Sequence, residues 1–204
     1  MENTFITSVE KLTSFIANNK FEEVTQKNPY YHMGATITDS ILQAGLNYQH
    51  VVYPRVLKLL TDYSYFKTTC DFIILFHAFP LSELITWKNV VKLERIKSLS
   101  WFFYKNKLEN EDQLSNWLNS KENVADLFRI DGIGPKTIDY LKMLSGNQSI
   151  AVDRHLFKFL ELANIYVRTY QEANALYQEA AKELKLTQYE LDRKVWLFMT
   201  SMKI

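Results

Sequence analysis

Two amphipathic segments joined by Gly132-Ile133-Gly134-Pro135 constrain this chain more than any other feature. Val124, Leu127 and Phe128 recur at helical spacing, so residues 122–129 form a helix with one apolar face. The turn follows at Asp131-Gly132-Ile133-Gly134. Two glycines around one apolar residue suit positive φ and a backbone that something outside can approach closely. Pro135 fits the first position of a second helix, where a missing N–H costs nothing and φ is already helical. Ile138, Leu141 and Leu144 carry that helix's apolar face to Gly146, a natural stop. The hairpin thus spans about residues 122–145.

The rest of the chain reads as helix too. Only five glycines and four prolines occur in 204 residues, which suits helices with short joints. Phe5, Val9, Leu12, Phe15 and Ile16 mark an amphipathic helix over 4–18. Shorter helices are expected over 36–44, capped by Thr36 or Thr38, and over 51–60, 68–76, 81–87, 90–104 and 112–118. Two more lie around Leu176, Ala180 and Leu184 and over 189–202. No segment keeps a period of two long enough to build a sheet, so the fold class is all-α. A hydrophobic content of 47% supplies a core for one compact unit or two small lobes.

Charge and cysteine use narrow the chemistry. The formal net charge is +1, so no global field draws the chain to nucleic acid, and a site for it must be a local patch. Residues 129–158 hold five basic side chains (Arg129, Lys136, Lys142, Arg154, Lys158) against three acidic ones. Cys70 is the only cysteine, which excludes an intrachain disulfide and a four-cysteine metal cluster within these residues. It opens the apolar run at Phe72 and is expected to be a core thiol. His32, His50, His77 and His155 show no metal-ligand spacing, so no metal site is expected. The apolar runs are too short to span a bilayer and the first residues too polar for a secretory signal. The expectation is a cytoplasmic protein (nucleoid-associated in a bacterium) without a membrane partner.

The start of the second hairpin helix has chemical potential. Its first amides have no intrahelical partners, and the helix dipole adds positive potential, so phosphate is a natural ligand; a plain joint between packed helices is the alternative. Lys136 stands in that first turn. A solvated lysine is the ordinary outcome, yet desolvation would disfavour its ammonium form and expose a nucleophilic amine. Asp153 precedes another apolar helix (Leu156, Phe157, Leu160), where it suits an N-cap. A cap also fixes a carboxylate rigidly.

Ile130-x-Gly132-Ile133-Gly134-x-Lys136-Thr137, followed by Ile150-Ala-Val-Asp153-x-His155-Leu-Phe-Lys158, resembles the signature of the helix-hairpin-helix DNA glycosylase superfamily. The likeness is nearest to its endonuclease III branch and runs from about residue 30 onward. It includes Tyr189 to Phe198, with Asp192 and Trp196, similar to that branch's last helix. The resemblance implies two helical lobes with the hairpin and an active-site cleft at their seam. One lobe is 28–145, and 1–27 with 146–204 form the other. It implies that Lys136 attacks C1′ of a damaged nucleoside, that Asp153 supports the chemistry, and that Gly132, Ile133, Gly134 and Thr137 grip the DNA backbone. No dissociable cofactor and no iron–sulfur cluster are expected, and hairpin carbonyls near Ile130 to Ile133 suit a monovalent cation. The partner implied is double-stranded DNA carrying a damaged base or abasic site, bound by a monomer.

An enzyme acting on a base within a duplex must turn it out of the stack and fill the gap. Residues 43–50 correspond to the branch's wedge loop, where Leu46 falls at its glutamine. Gln43, Asn47 and Tyr48 are the candidates for wedge or pocket, with a polar loop as the plain alternative. The activity implied is base-excision repair by a bifunctional glycosylase/lyase acting on a damaged, oxidised base. Two rivals remain: a purely hydrolytic (monofunctional) glycosylase, and a non-catalytic helix-hairpin-helix DNA-binding protein.

Overall fold

The computed structural model describes residues 2–202. Among them lie twelve α-helices, one π-helical turn and no strand, so the all-α expectation holds. The chain divides into two compact units, residues 28–147 and residues 1–27 with 148–204.

In the first unit, helix α2 (Met33–Leu42) is the centre, and all ten of its residues are buried. Around it pack α3 (Tyr53–Asp62), α4 (Thr69–Ala78), α6 (Val90–Lys105) and α9 (Pro135–Leu144). The short α5 (Leu81–Leu84), α7 (Glu111–Trp117) and α8 (Lys121–Leu127) complete the unit. Its core joins Ile37, Leu59, Phe72, Ile96, Leu99, Phe103 and Leu141, each fully buried. Each such side chain contributes about 1.5–3 kcal/mol by leaving water. A helix buried on every side must also satisfy its polar groups. Glu111, 1% exposed, accepts from the His32 amide at 2.9 Å and from the Thr36 hydroxyl at 2.6 Å.

Several local expectations are corrected. Helix α2 starts at Met33 with His32 as its N-cap; the ring Nδ1 accepts the Ala35 N–H at 3.2 Å, which neither Thr36 nor Thr38 does. The expected helix over 51–60 is preceded by a π-helical turn, Tyr48–Val52, and α3 begins only at Tyr53. Helix α5 stops at Leu84, and Thr86 turns the chain through φ 49° before Trp87. Cys70 is half-buried, not core, with its amide on the Glu109 carboxylate at 2.9 Å. The aromatic run divides as a helix must: Phe103 is fully buried, while Trp101 and Tyr104 are exposed.

The second unit holds α1 (Glu2–Ala17), α10 (Arg154–Leu162), α11 (Tyr170–Glu183) and α12 (Gln188–Ser201). Helix α1 packs on α11, and α12 packs on both α10 and α11. Val9, Leu12, Leu156, Phe159, Leu160, Tyr177, Leu191 and Val195 make the core, with Phe15, Phe21 and Phe198 ringed around Phe159. Thr169 and Thr187 each close a capping box, with Glu172 and Glu190, which fixes the starts of α11 and α12.

Candidate nucleic-acid and catalytic site

The hairpin turn lies between α8 and α9. Ile130 and Ile133 face the core, and the Ile133 amide donates to the Ile130 carbonyl at 3.1 Å. Gly132 takes φ +75°, a value that side chains rarely adopt, and its backbone lies against the Arg95 guanidinium. Arg95, from α6, also pairs with Asp131 at 3.0 Å, which ties the turn to the bundle. Gly134 differs from the sequence expectation: at φ −115° it needs no positive φ. It is the N-cap of α9, offers no capping side chain, and has open space where a Cβ would stand. The first turn of α9 therefore begins without a side-chain capping hydrogen bond. Thr137 is buried, 6% exposed.

Lys136 is half-buried, and its Nζ donates to Gln43 Oε1 at 2.7 Å. Gln43 is the C-cap of α2, so the hydrogen bond joins the end of one helix to the start of another. A second amine attends the same helix end. Lys92 Nζ, from α6, donates to the carbonyls of Ile41 at 2.7 Å and Ala44 at 2.8 Å, where the helix dipole is negative. Burial, then the charges of Arg95 and Lys136, lowers the Lys92 pKa from its ordinary 10.5. The three cations thus form a local basic cluster beside the hairpin.

One turn further into both helices lies a carboxylate absent from the sequence reading. Asp39 is fully buried. Its Oδ2 accepts from Tyr30 at 2.7 Å and from Tyr48 at 3.5 Å, and Tyr140 donates to the two oxygens at 3.3 and 3.2 Å. The Tyr30 and Tyr48 hydroxyls are 3.1 Å apart. Burial and then the Asp39 charge push the phenols of Tyr30 and Tyr140 well above their ordinary value of 10.0. They stay protonated, as donors to a buried anion must. A spacing signal existed: Asp39 with Gln43, and Lys136 with Tyr140, are both four apart.

The three loop candidates therefore separate. Gln43 meets Lys136, and Tyr48 joins the Asp39 cluster. Asn47 does neither: it is exposed, and its side chain caps the π-helical turn by accepting the His50 amide at 2.9 Å.

Asp153 belongs to the other unit, as N-cap of α10. Its Oδ1 accepts the amides of His155 at 2.8 Å and Leu156 at 3.1 Å. The segment leading to it is held from α11 and α12. Asn174 donates to the Ile150 carbonyl at 2.7 Å, and Asp192 Oδ2 accepts the Ala151 amide at 2.9 Å. Tyr177 donates to the Leu156 carbonyl at 2.7 Å just beyond. The His155 ring sits edge-on to Trp196, a packing role. Among the described residues no three His, Cys, Asp or Glu side chains gather as metal ligands, and no helix is long and apolar enough to cross a membrane.

The architecture is similar to that of H. pylori 3-methyladenine DNA glycosylase (MagIII) bound to 1,N6-ethenoadenine, with a TM-score of 0.64 at 15% sequence identity. The likeness covers 95% of this chain and 97% of that one, and it establishes the fold as that of the helix-hairpin-helix DNA glycosylases. No curated protein matches in sequence. A family model does match, over residues 85–200, from the end of α5 through the hairpin, Asp153 and nearly all of α12. With more than half its length inside that match, the chain belongs to the family described as Domain of unknown function (DUF8548).

Proposed function

We propose that this chain is a base-excision DNA glycosylase that works through Lys136. The observation carrying the reading is a half-buried lysine, docked on Gln43 at 2.7 Å, in the first turn of the second hairpin helix of a DNA glycosylase fold. Following the endonuclease III branch it resembles, the amine attacks C1′ of a flipped nucleotide. The C1′–N bond breaks, and the base leaves with the electron pair and gains a proton. Ring opening and loss of the amine proton give a Schiff base. Removal of a C2′ proton then expels the 3′ oxygen and breaks the strand. Asp153 is the carboxylate assigned to stabilise positive charge on the sugar.

The start of α9, at Gly134 and Thr137, is assigned to a DNA phosphate, with Gly132 and Ile133 shaping the turn. Lys92 and Arg95 add positive potential beside it. No dissociable cofactor enters these steps, and a monovalent cation on the carbonyls near Ile130 to Ile133 would steady the turn against the phosphate. The substrate is double-stranded DNA with a damaged base or abasic site, bound by a monomer.

Borohydride trapping tests this. Duplexes carrying an abasic site, an oxidised pyrimidine or 8-oxoguanine should form a covalent adduct with the protein and none with Lys136→Gln. Base release without adduct or strand cleavage would establish a hydrolytic enzyme instead. That second reading gains support from the 3-methyladenine glycosylase of like fold, so an alkylated purine joins the panel. Salt-sensitive binding with no base release by any measure would leave only a DNA-holding module.

A further inference from the structure

We propose that Lys92 sets the charge of Lys136: anchored as an ammonium on the end of α2, it disfavours protonation of the neighbouring amine and so keeps that amine nucleophilic. The inference deepens the glycosylase reading above and rests on it. Both amines reach the same turn of one helix. Lys92 Nζ donates to the carbonyls of Ile41 at 2.7 Å and Ala44 at 2.8 Å, and Lys136 Nζ donates to the side chain of Gln43, between them, at 2.7 Å. Both lysines are half-buried, so their charges are screened less than those of a surface pair. The coupling is visible on Lys92, whose pKa falls from 10.5 through burial and then the charges of Arg95 and Lys136. Two like charges act on each other reciprocally, so the pair holds one proton more readily than two.

The two helix ends decide which amine gives the proton up. Lys92 sits at the C-terminus of α2, where the dipole is negative and two carbonyls accept from it; both favour the ammonium form. Lys136 sits in the first turn of α9, where the dipole is positive, and Gln43 offers it a neutral amide. An unprotonated amine still has N–H groups to make that bond. The other charged groups on these elements are met by partners of their own. Arg95 pairs with Asp131 of the turn, Glu94 with Lys97 on α6, and Asp139 with Lys142 along α9. Asp39, one turn inward on α2, accepts from Tyr30, Tyr48 and Tyr140. His50, on the π-helical turn, is exposed. Lys92 instead has carbonyls as its acceptors, which hold its charge in place without cancelling it. A lysine that merely tied down a helix end would leave the proton affinity of Lys136 unchanged.

The test follows single-turnover cleavage of an abasic duplex by the full chain, with protein in saturating excess, from about pH 6 to 10. Lys136→Gln supplies the background. Lys92→Met removes the charge and keeps the stem, and thermal melting verifies that it folds. Its midpoint should move up by about one pH unit, about tenfold in rate below both midpoints, while the plateau at high pH stays within about threefold. Lys92→Arg keeps the charge and should keep the wild-type midpoint. A second measurement needs no variant. Limited acetylation read by mass spectrometry should label Lys136 with a midpoint at least about one unit below those of the exposed Lys107 and Lys185. Coincident midpoints in the wild type and Lys92→Met overturn the assignment. So does a loss equal at every pH, which marks a clamp on α2 alone, or a Lys92→Arg midpoint as high as that of Lys92→Met. A Lys136 that acetylates as the exposed lysines do overturns it too. A wild type that neither cleaves nor traps an abasic duplex at any pH removes the lysine mechanism, and this inference with it.

Discussion

Lys136 donates to Gln43 across 93 residues of sequence, from the first turn of α9 to the last turn of α2, at 2.7 Å. The contact holds the end of a flexible four-carbon side chain against the C-terminus of α2. Replacing Gln43 by leucine removes that acceptor and keeps the bulk. Gln43 is half-buried at a helix end, so the change in stability should stay within about 1 kcal/mol. Borohydride trapping on an abasic duplex should slow about tenfold, because the amine loses its orientation. Trapping at the wild-type rate would show that the hydrogen bond does not position Lys136.

The two hairpin glycines should respond differently to alanine. Gly132 sits at φ +75° with the Arg95 guanidinium where a Cβ would be, so Gly132→Ala adds backbone strain and displaces Arg95 from the turn. A loss of about 1–2 kcal/mol is expected, read from urea or thermal unfolding. Gly134 has φ −115° and nothing within 4 Å of its would-be Cβ. Gly134→Ala should leave stability within about 0.5 kcal/mol and still weaken DNA binding, since the new methyl group stands where a phosphate would approach. Equal effects on stability and binding in both variants would count against a phosphate at this turn.

That contrast shows what the sequence could and could not disclose. Glycine and proline punctuate locally, so the hairpin was legible from residues 122–146 alone, and so was the all-α class. The need for positive φ at Gly134 was over-read, because two glycines in one turn need not share a conformation. The start of α2 was missed because a histidine ring, not a threonine hydroxyl, caps it. The π-helical turn has no compositional signature. The Asp39 cluster was beyond reach for a different reason. Its phenols come from the approach to α2, the π-helical turn and α9, and only the folded bundle brings them together.

His32 makes the first unit sensitive to acid. Its Nδ1 accepts the Ala35 amide, and its Nε2 lies 3.2 Å from the Tyr63 carbonyl, a pairing that suits the neutral ring. Burial lowers its pKa from 6.5, only partly opposed by hydrogen bonds to backbone and by Glu111. With the folded value depressed, the unfolded chain takes the proton first as pH falls. This contribution is therefore complete above 6.5 and declines below it, toward the lower folded pKa. His32→Asn keeps a good cap without a titrating group. Urea unfolding across pH 5 to 7 should show a steeper loss in the wild type than in the variant; parallel curves would exclude His32 as the source.

Asp192 supports Asp153 at one remove. It is 7% exposed, and its Oδ2 accepts the amide of Ala151, two residues before the α10 cap. Asp192→Ala leaves that buried N–H without its acceptor, at a cost of about 1–3 kcal/mol. For a chain of this size Tm should fall by about 3–8 °C. Asp192→Asn keeps an oxygen in place and should recover much of that loss. If the segment 149–152 orients Asp153 for chemistry, trapping should follow the same order: wild type fastest, Asn between, Ala slowest, at a temperature where all three are folded. An alanine variant that melts early yet traps at full rate would confine Asp192 to stability and leave the α10 cap bonds to orient Asp153 alone.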